Sequence, residues 1–280
     1  MHAHALTIDV EDYFQVSAFA STIDRASWDA IPCRVERNVD RILALLSAHD
    51  AKATFFTLGW IAERFPSVVR RIVEDGHELG SHGYGHHRIQ ELGPDKFRED
   101  IVRAKAILED IGGVRVQGYR APSFSVGYDS LWAFEHIQQA GYDYSSSVYP
   151  VKRDLYGMPD APRFPYRTPT GLLEIPMTTA RLGSRNVPAG GGGFFRLFPY
   201  ALTRQLIHHV QRHDARPCMI YLHPWEFDPE QPKVHGAPLK SRFRHRINLS
   251  RTTPRFARLL KDFRWDRVDR VFLSDSAARI

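Results

Sequence analysis

Cysteine is nearly missing from this chain. Cys33 and Cys218 are the only two in 280 residues, and neither belongs to a Cys-x-x-Cys pattern. That excludes a disulfide-stapled scaffold and a thiolate zinc finger. No run approaches the roughly 18 to 20 apolar residues a membrane-crossing helix requires. The opening Met1 to Asp12 has no basic stretch leading into an apolar one, so no secretory leader and a cytoplasmic location are expected. No Pro/Gly/Ser-rich linker divides the chain, and no internal repeat is visible. The glycine run Gly190 to Gly193 lacks the Gly-Lys-Ser/Thr ending of a phosphate loop, which leaves a turned loop as its expected structure.

What is there suits a single large α/β domain over residues 1–280: 43% hydrophobic and 25% charged residues. Charge is unevenly placed. The whole chain carries +6, but Gln231 to Arg270 alone holds 12 Lys/Arg against 3 Asp/Glu, so the remainder is net acidic. Seven cations and no acid lie between Lys240 and Arg258. Residues 231–280 therefore read as a basic extension packed on the domain. An anionic lipid surface or a lipid diphosphate would suit the 240–258 patch, and a solvated helix face with a basic loop is the plainer alternative. Specific nucleic-acid binding is not expected, because no nucleic-acid motif accompanies the patch.

Periodicity predicts alternating strands and helices. Leu6 to Val10, Lys52 to Leu58, His77 to Ser81, Val114 to Tyr119 and Tyr142 to Ser146 read as strands. Val35 to Ala48, Pro66 to Asp75, Asp95 to Asp110 and Ser130 to Ala140 read as helices between them. Later strands are expected at Leu172 to Met177, Met219 to His223 and Arg270 to Leu273, and later helices at Pro199 to Arg212 and Thr253 to Phe263. Short connections between such units imply a parallel sheet, either a barrel or a doubly wound one.

Chemistry-bearing residues fall at the predicted strand ends. Asp9-Val10-Glu11-Asp12 crowds three carboxylates that need a cation, a shared proton or an arginine. His82 and His86 lie four apart among glycines that let the backbone bend. One carboxylate and two imidazoles make an open three-ligand site for a divalent ion, with a second carboxylate left as general base. Arg120, after a strand and before Ala121-Pro122, suits a clamp on that base. His223, ending an apolar strand, suits a general acid. Each has a bland alternative: a solvated turn, loop histidines, a structural ion pair, a capped core histidine.

Together these segments resemble the polysaccharide deacetylase family, carbohydrate esterase family 4, with its NodB-homology domain. The resemblance rests on Thr7-Ile8-Asp9-Val10-Glu11-Asp12, Ala53-Thr54-Phe55-Phe56, Asp75-Gly76-His77-Glu78-Leu79-Gly80-Ser81-His82 through His86, Arg120-Ala121-Pro122-Ser123-Phe124 and Leu222-His223. Gly192 to Leu197, His223 to Asp228 and Phe243 to Leu260 resemble the branch associated with exopolysaccharide and PEP-CTERM loci. The resemblance implies a distorted (β/α)7 barrel and metal-dependent removal of N-acetyl groups from amino sugars of a polysaccharide or its lipid-linked precursor. It implies Asp9 as base, His82 and His86 as metal ligands, Arg120 as the residue orienting Asp9, and His223 as acid. It places an oxyanion donor at the Ser123 N–H after Pro122, and a sugar pocket shaped by Pro224 and Trp225. One divalent ion is implied, zinc first, with cobalt, nickel and manganese as other candidates. The family's commonest motif has adjacent aspartates, whereas Val10 follows Asp9 here, so the carboxylate ligand is Glu11 by strand alternation or Asp12 by a bulged turn. The competing functions are a metal-free amidohydrolase acting on a cyclic amide or ureide, and a non-catalytic glycan-binding relative. With a glycan precursor as substrate, the expected location is cytoplasmic, peripheral at the inner membrane.

Overall fold

The computed structural model describes residues 3–152 and 157–274. Met1 and His2, and residues 275–280 of the expected basic extension, lie outside the described residues.

The central strand β1 (His4–Val10) is buried along its whole length, as a strand covered on both faces must be. It pairs in parallel with β2 (Thr54–Thr57) on one side and β10 (Met219–Leu222) on the other, with Thr7 facing both Thr54 and Tyr221. The sheet continues through β3 (Glu78–Ser81), β4 (Gly118–Tyr119), β5 (Tyr144–Ser145) and β7 (Leu173–Glu174), each parallel to the last. Those seven parallel strands, in the order β10-β1-β2-β3-β4-β5-β7, are the curled sheet of a distorted (β/α)7 barrel. Among the described residues β7 and β10 do not pair, so the barrel is open there. The antiparallel β6 (Tyr166–Arg167) extends one edge, and β11 (Trp265–Asp266) pairs with His4 and Ala5 of β1. A separate hairpin joins β8 (Thr179–Leu182) to β9 (Arg185–Pro188).

Helices cover the outside. The helix α1 (Val35–Ala48) turns Val35, Val39, Ile42, Leu43 and Leu46 inward, the spacing seen in the sequence. The helices α2 (Gly59–Arg64) and α3 (Pro66–Glu74) follow, the latter opened by a proline at its first position. Next come α4 (Ile89–Gly112), kinked at Gly93-Pro94, and α5 (Ala133–Gln139). The second half contributes α6 (Gly192–Leu197), α7 (Tyr200–His209), α8 (Leu239–Arg246) and α9 (Thr252–Asp262).

Two expectations are corrected. Arg270 to Leu273 is not a strand but part of a helical turn, Asp269–Leu273. Phe272 is its buried residue, and Val268, buried just before it, lies one helical turn away. The glycine run is not all loop, because Gly192 and Gly193 begin α6.

Parallel βα units direct the C-terminal strand ends to one side of the sheet, where barrel enzymes build their sites. Asp9, His82, Arg120 and His223 all stand at such ends. A cavity of about 1010 Å³ lies elsewhere. Its lining residues Gln117, Asp143 and Leu172 immediately precede β4, β5 and β7, which puts it at the opposite end of the sheet.

Candidate active site

Arg120 is fully buried, and its guanidinium is matched group by group. Nη1 donates to Asp9 Oδ1 and Thr7 Oγ1, each at 2.7 Å. Nε donates to the Ser146 carbonyl at 3.2 Å, and Nη2 to Ser146 Oγ at 3.0 Å. The ring of Phe56 lies 4.2 Å from the guanidinium carbon. Asp9 and Thr7 reach the same arginine because alternate residues of β1 share a face. The carboxylate of Asp9 is thus fixed in rotamer by a partner that stays charged.

After Val10 the chain turns sharply, with the Glu11 N–H donating to the Asp9 carbonyl at 3.0 Å. Glu11 thereby meets the histidine pair. Gly83 holds φ 73, a conformation natural to glycine, and brings the segment after His82 round so that His86 faces it. The ring centroids of His82 and His86 are 5.3 Å apart. Ligand atoms of Glu11, His82 and His86 all lie within 4.8 Å of one another, and all three residues are buried. Asp12 points elsewhere. Its carboxylate accepts from the Tyr13 and Arg34 N–H groups and from Cys33 Sγ, and forms the turn that leads into α1.

This trio suits a divalent cation. Glu11 Oε2 and His86 Nε2 approach to 2.7 Å, yet Glu11 Oε2 has no hydrogen-bond partner among the described residues. A carboxylate oxygen and two imidazoles converging on one buried point is an arrangement a metal satisfies. His82 Nδ1 donates to the Arg120 carbonyl at 2.8 Å, which fixes the tautomer with the Nε2 lone pair directed away from that bond. Burial would lift the Glu11 carboxyl, but the neighbouring His86, with His223 and His82, holds it well below the usual range. Burial pushes His82 down to about 4, keeping it neutral as a ligand must be.

His223 stands across from this trio, its Nε2 3.6 Å from Glu11 Oε1. Its Nδ1 donates to Glu226 Oε1 at 2.6 Å. Burial works against charge on this ring, but the Glu226 hydrogen bond and the Glu11, Glu226 and Asp9 carboxylates raise it to about 9. Glu226 is fully buried, and its other oxygen lies 3.3 Å from Arg196 Nε. Arg196 in turn donates to the carbonyls of Arg244, His245 and Ile247 at the end of α8. Sequence reasoning missed Glu226 and Arg196. Their signal is a His-x-x-Glu spacing, which places the carboxylate one 3₁₀ turn beyond the histidine over Pro224–Phe227.

Ser123 follows Pro122 with φ 56, and its hydroxyl is 2.7 Å from that of Ser17. Trp225 is buried beside the same site. It stacks with His223 and with His245 at centroid distances of 5.2 and 4.1 Å, while its indole N–H donates to Glu11 Oε1 at 3.1 Å.

Residues 19–145 match the family model described as polysaccharide deacetylase, and residues 146–273 match a domain of unknown function, DUF3473. Over residues 19–145 the chain is thus similar to the polysaccharide deacetylase family. A peptidoglycan-N-acetylglucosamine deacetylase of Bacillus cereus is 38% identical over 96 residues, 34% of this chain and 35% of that protein. A chitooligosaccharide deacetylase of Azorhizobium caulinodans is 35% identical over 82 residues, 29% of this chain and 39% of that protein. The chain thus spans little more than a third of the length of these curated relatives. Among solved structures, a protein of Mycobacterium smegmatis assigned as a candidate polysaccharide deacetylase shares the fold. Its TM-score is 0.63 at 19% identity, over 100% of this chain and 93% of that one. The deacetylase match contains His82, His86 and Arg120, while His223, Glu226 and Arg196 come from the second matched segment. One sheet carries both segments, since β5 pairs with β7 across their boundary.

Proposed function

We propose that this polysaccharide deacetylase-family chain hydrolyses the N-acetyl group of an amino sugar within a glycan, as a single domain over residues 1–280. The observation that carries the reading is the convergence of Glu11, His82 and His86 between the Arg120-held Asp9 and the Glu226-held His223. Glu11, His82 and His86 would hold a divalent cation, and the nitrogen–nitrogen–oxygen donor set favours zinc. Such an ion supplies Lewis acidity to the acetamide carbonyl and to the attacking water.

The chain's own residues supply the proton transfers. Asp9, held by Arg120, takes the proton of the water as its oxygen bonds to the acetamide carbon. The Ser123 N–H is the proposed donor to the developing oxyanion. His223, protonated and oriented by Glu226, gives its proton to the amide nitrogen as the C–N bond breaks, leaving a free amine and acetate. The resemblance of residues 192–260 to the exopolysaccharide-associated branch favours an exopolysaccharide or its lipid-linked precursor as the substrate.

The test is acetate release from N-acetylglucosamine oligomers, with elemental analysis of the same preparations. About one divalent ion per chain and turnover are expected in the wild type. Asp9→Asn should keep the ion and lose turnover, and His82→Ala should lose both. Turnover persisting in Asp9→Asn would overturn the base assignment, and a wild type that binds no ion after reloading would overturn the metal reading.

A further inference from the structure

Leu239 and Phe243 are the two most exposed large apolar side chains among the described residues, at 79% and 64% relative exposure. Four residues apart on α8, they share one helix face. Isolated exposed leucines are ordinary, but two on one short helix surrounded by cations are a pattern. Lys240 and Arg244 are exposed beside them, Arg242 is partly exposed, and Arg251 follows. No carboxylate occurs from Pro232 to Lys261. Among the described residues Arg242, Arg244 and Arg251 form no ion pair, so their charge is not neutralised within the fold.

The helix is held from its other side. His245 is buried, stacks on Trp225, and shares a hydrogen bond between its Nε2 and Gln231 Oε1. Arg246 donates to the Gln231 carbonyl, and Arg196 caps the last carbonyls of α8. A helix anchored by its underside presents its outer face as a fixed surface, with little ordering left to do when it docks.

We propose that the outer face of α8, with Leu239 and Phe243 projecting among Arg242, Arg244 and Arg251, docks on the surface of an anionic lipid bilayer. Cations alone would suit any polyanion. Two apolar side chains standing out beyond them find a favourable environment in the acyl boundary beneath anionic headgroups. Each juxtaposed Lys or Arg strengthens such partitioning about fivefold at low salt. The stack from Phe243's helix through His245 and Trp225 reaches His223, so docking here would set the candidate active site beside the membrane surface. That consequence, a glycan presented at the bilayer, rests on the proposed deacetylase function, whereas the docking itself does not.

The full chain should co-sediment with vesicles of phosphatidylglycerol and phosphatidylcholine, and should leave them as salt rises or when phosphatidylcholine is used alone. Leu239→Ser/Phe243→Ser and Arg242→Glu/Arg244→Glu should each weaken binding at least tenfold, with thermal melting and turnover of a soluble oligosaccharide unchanged. In Phe243→Trp, brominated acyl chains should quench fluorescence at residue 243. No binding to anionic vesicles at low salt, or binding indifferent to both double variants, would overturn the proposal. So would a wild-type dimer that Leu239→Ser/Phe243→Ser dissociates while vesicles bind neither form. Because vesicle binding needs no turnover, it is read separately from failure of the deacetylase assay.

Discussion

Glu226 Oε1 accepts the Nδ1–H of His223 at 2.6 Å from a fully buried position. That bond decides which imidazole nitrogen faces the reacting centre and keeps the ring protonated to about pH 9. Glu226→Gln removes the charge and keeps the shape. With His223 as the proposed acid, charged below the raised value, the loss of Glu226 should move the alkaline limb of kcat to lower pH by at least one unit. At neutral pH kcat should fall roughly 10- to 100-fold, in the range that acid–base groups contribute. Metal content should be unchanged. A pH profile beside elemental analysis checks this.

Gly192 makes that buried carboxylate possible. A Cβ there would stand 1.9 Å from Glu226 Oε1. Gly192→Ala should therefore lower kcat as well as Tm, by displacing Glu226 from His223 and Arg196. Gly193→Ala, where a Cβ meets nothing within 4 Å, is the control and should leave kcat unchanged. Equal kcat for the two variants would show that Gly192 serves only the backbone.

The neighbouring acids Glu11 and Asp12 should separate cleanly. Glu11→Gln should lose the bound ion, because the amide is a poorer ligand at the point where Glu11 meets both histidines. Asp12→Asn should keep the ion and lose stability by about 1–3 kcal/mol, since its oxygens accept from Tyr13, Arg34 and Cys33. Metal analysis and denaturant titration of both variants test the pair.

Arg120→Lys is not a conservative change. A lysine ammonium cannot serve Asp9, Thr7 and Ser146 from three nitrogens at fixed angles. Breaking this buried pair should cost about 3–5 kcal/mol and appear as a large fall in the denaturation midpoint. Activity should drop with it, because Asp9 loses its fixed rotamer.

Glu78 gives the fold its own pH dependence. Burial first, and then the charge of Asp269, lift its carboxyl to about 7, against hydrogen bonds from Thr54, Tyr144 and the Asp269 N–H. A carboxyl raised on folding binds its proton more tightly in the native state. The stabilisation is complete below about pH 4.5 and is lost as pH rises to 7. Glu78→Gln cannot ionise and should flatten the stability profile between pH 5 and 8, which urea titrations at several pH values would show.

The readable parts of the sequence were those governed by local spacing. Val35 to Ala48 has one apolar face and forms the helix expected, with the same bounds. The strand ends bearing Asp9, His82, Arg120 and His223 follow from short apolar runs and their motifs. Other elements depend on distant partners. The helix α8 is almost wholly polar and owes its place to Arg196, Trp225 and Gln231, between 14 and 49 residues away from their partners on it. Gly192 reads as part of a turned loop because its reason, the room needed by Glu226, lies 34 residues further on. The choice between Glu11 and Asp12 turned on a single bend after Val10, which strand alternation alone could not distinguish from a bulge.

Ser146 is the first residue of the second matched segment, and it fastens Arg120, a residue of the first, by both its carbonyl and its hydroxyl. The seam between the two segments is thus not a place where the molecule can be divided. A recombinant that joined residues 1–145 to an unrelated partner would leave β1 without β10, and Arg120 without half of its acceptors. It would also hold Asp9 without His223 opposite it. Chimeras that exchange chemistry with relatives should therefore cross over in surface turns and carry both halves of the barrel together.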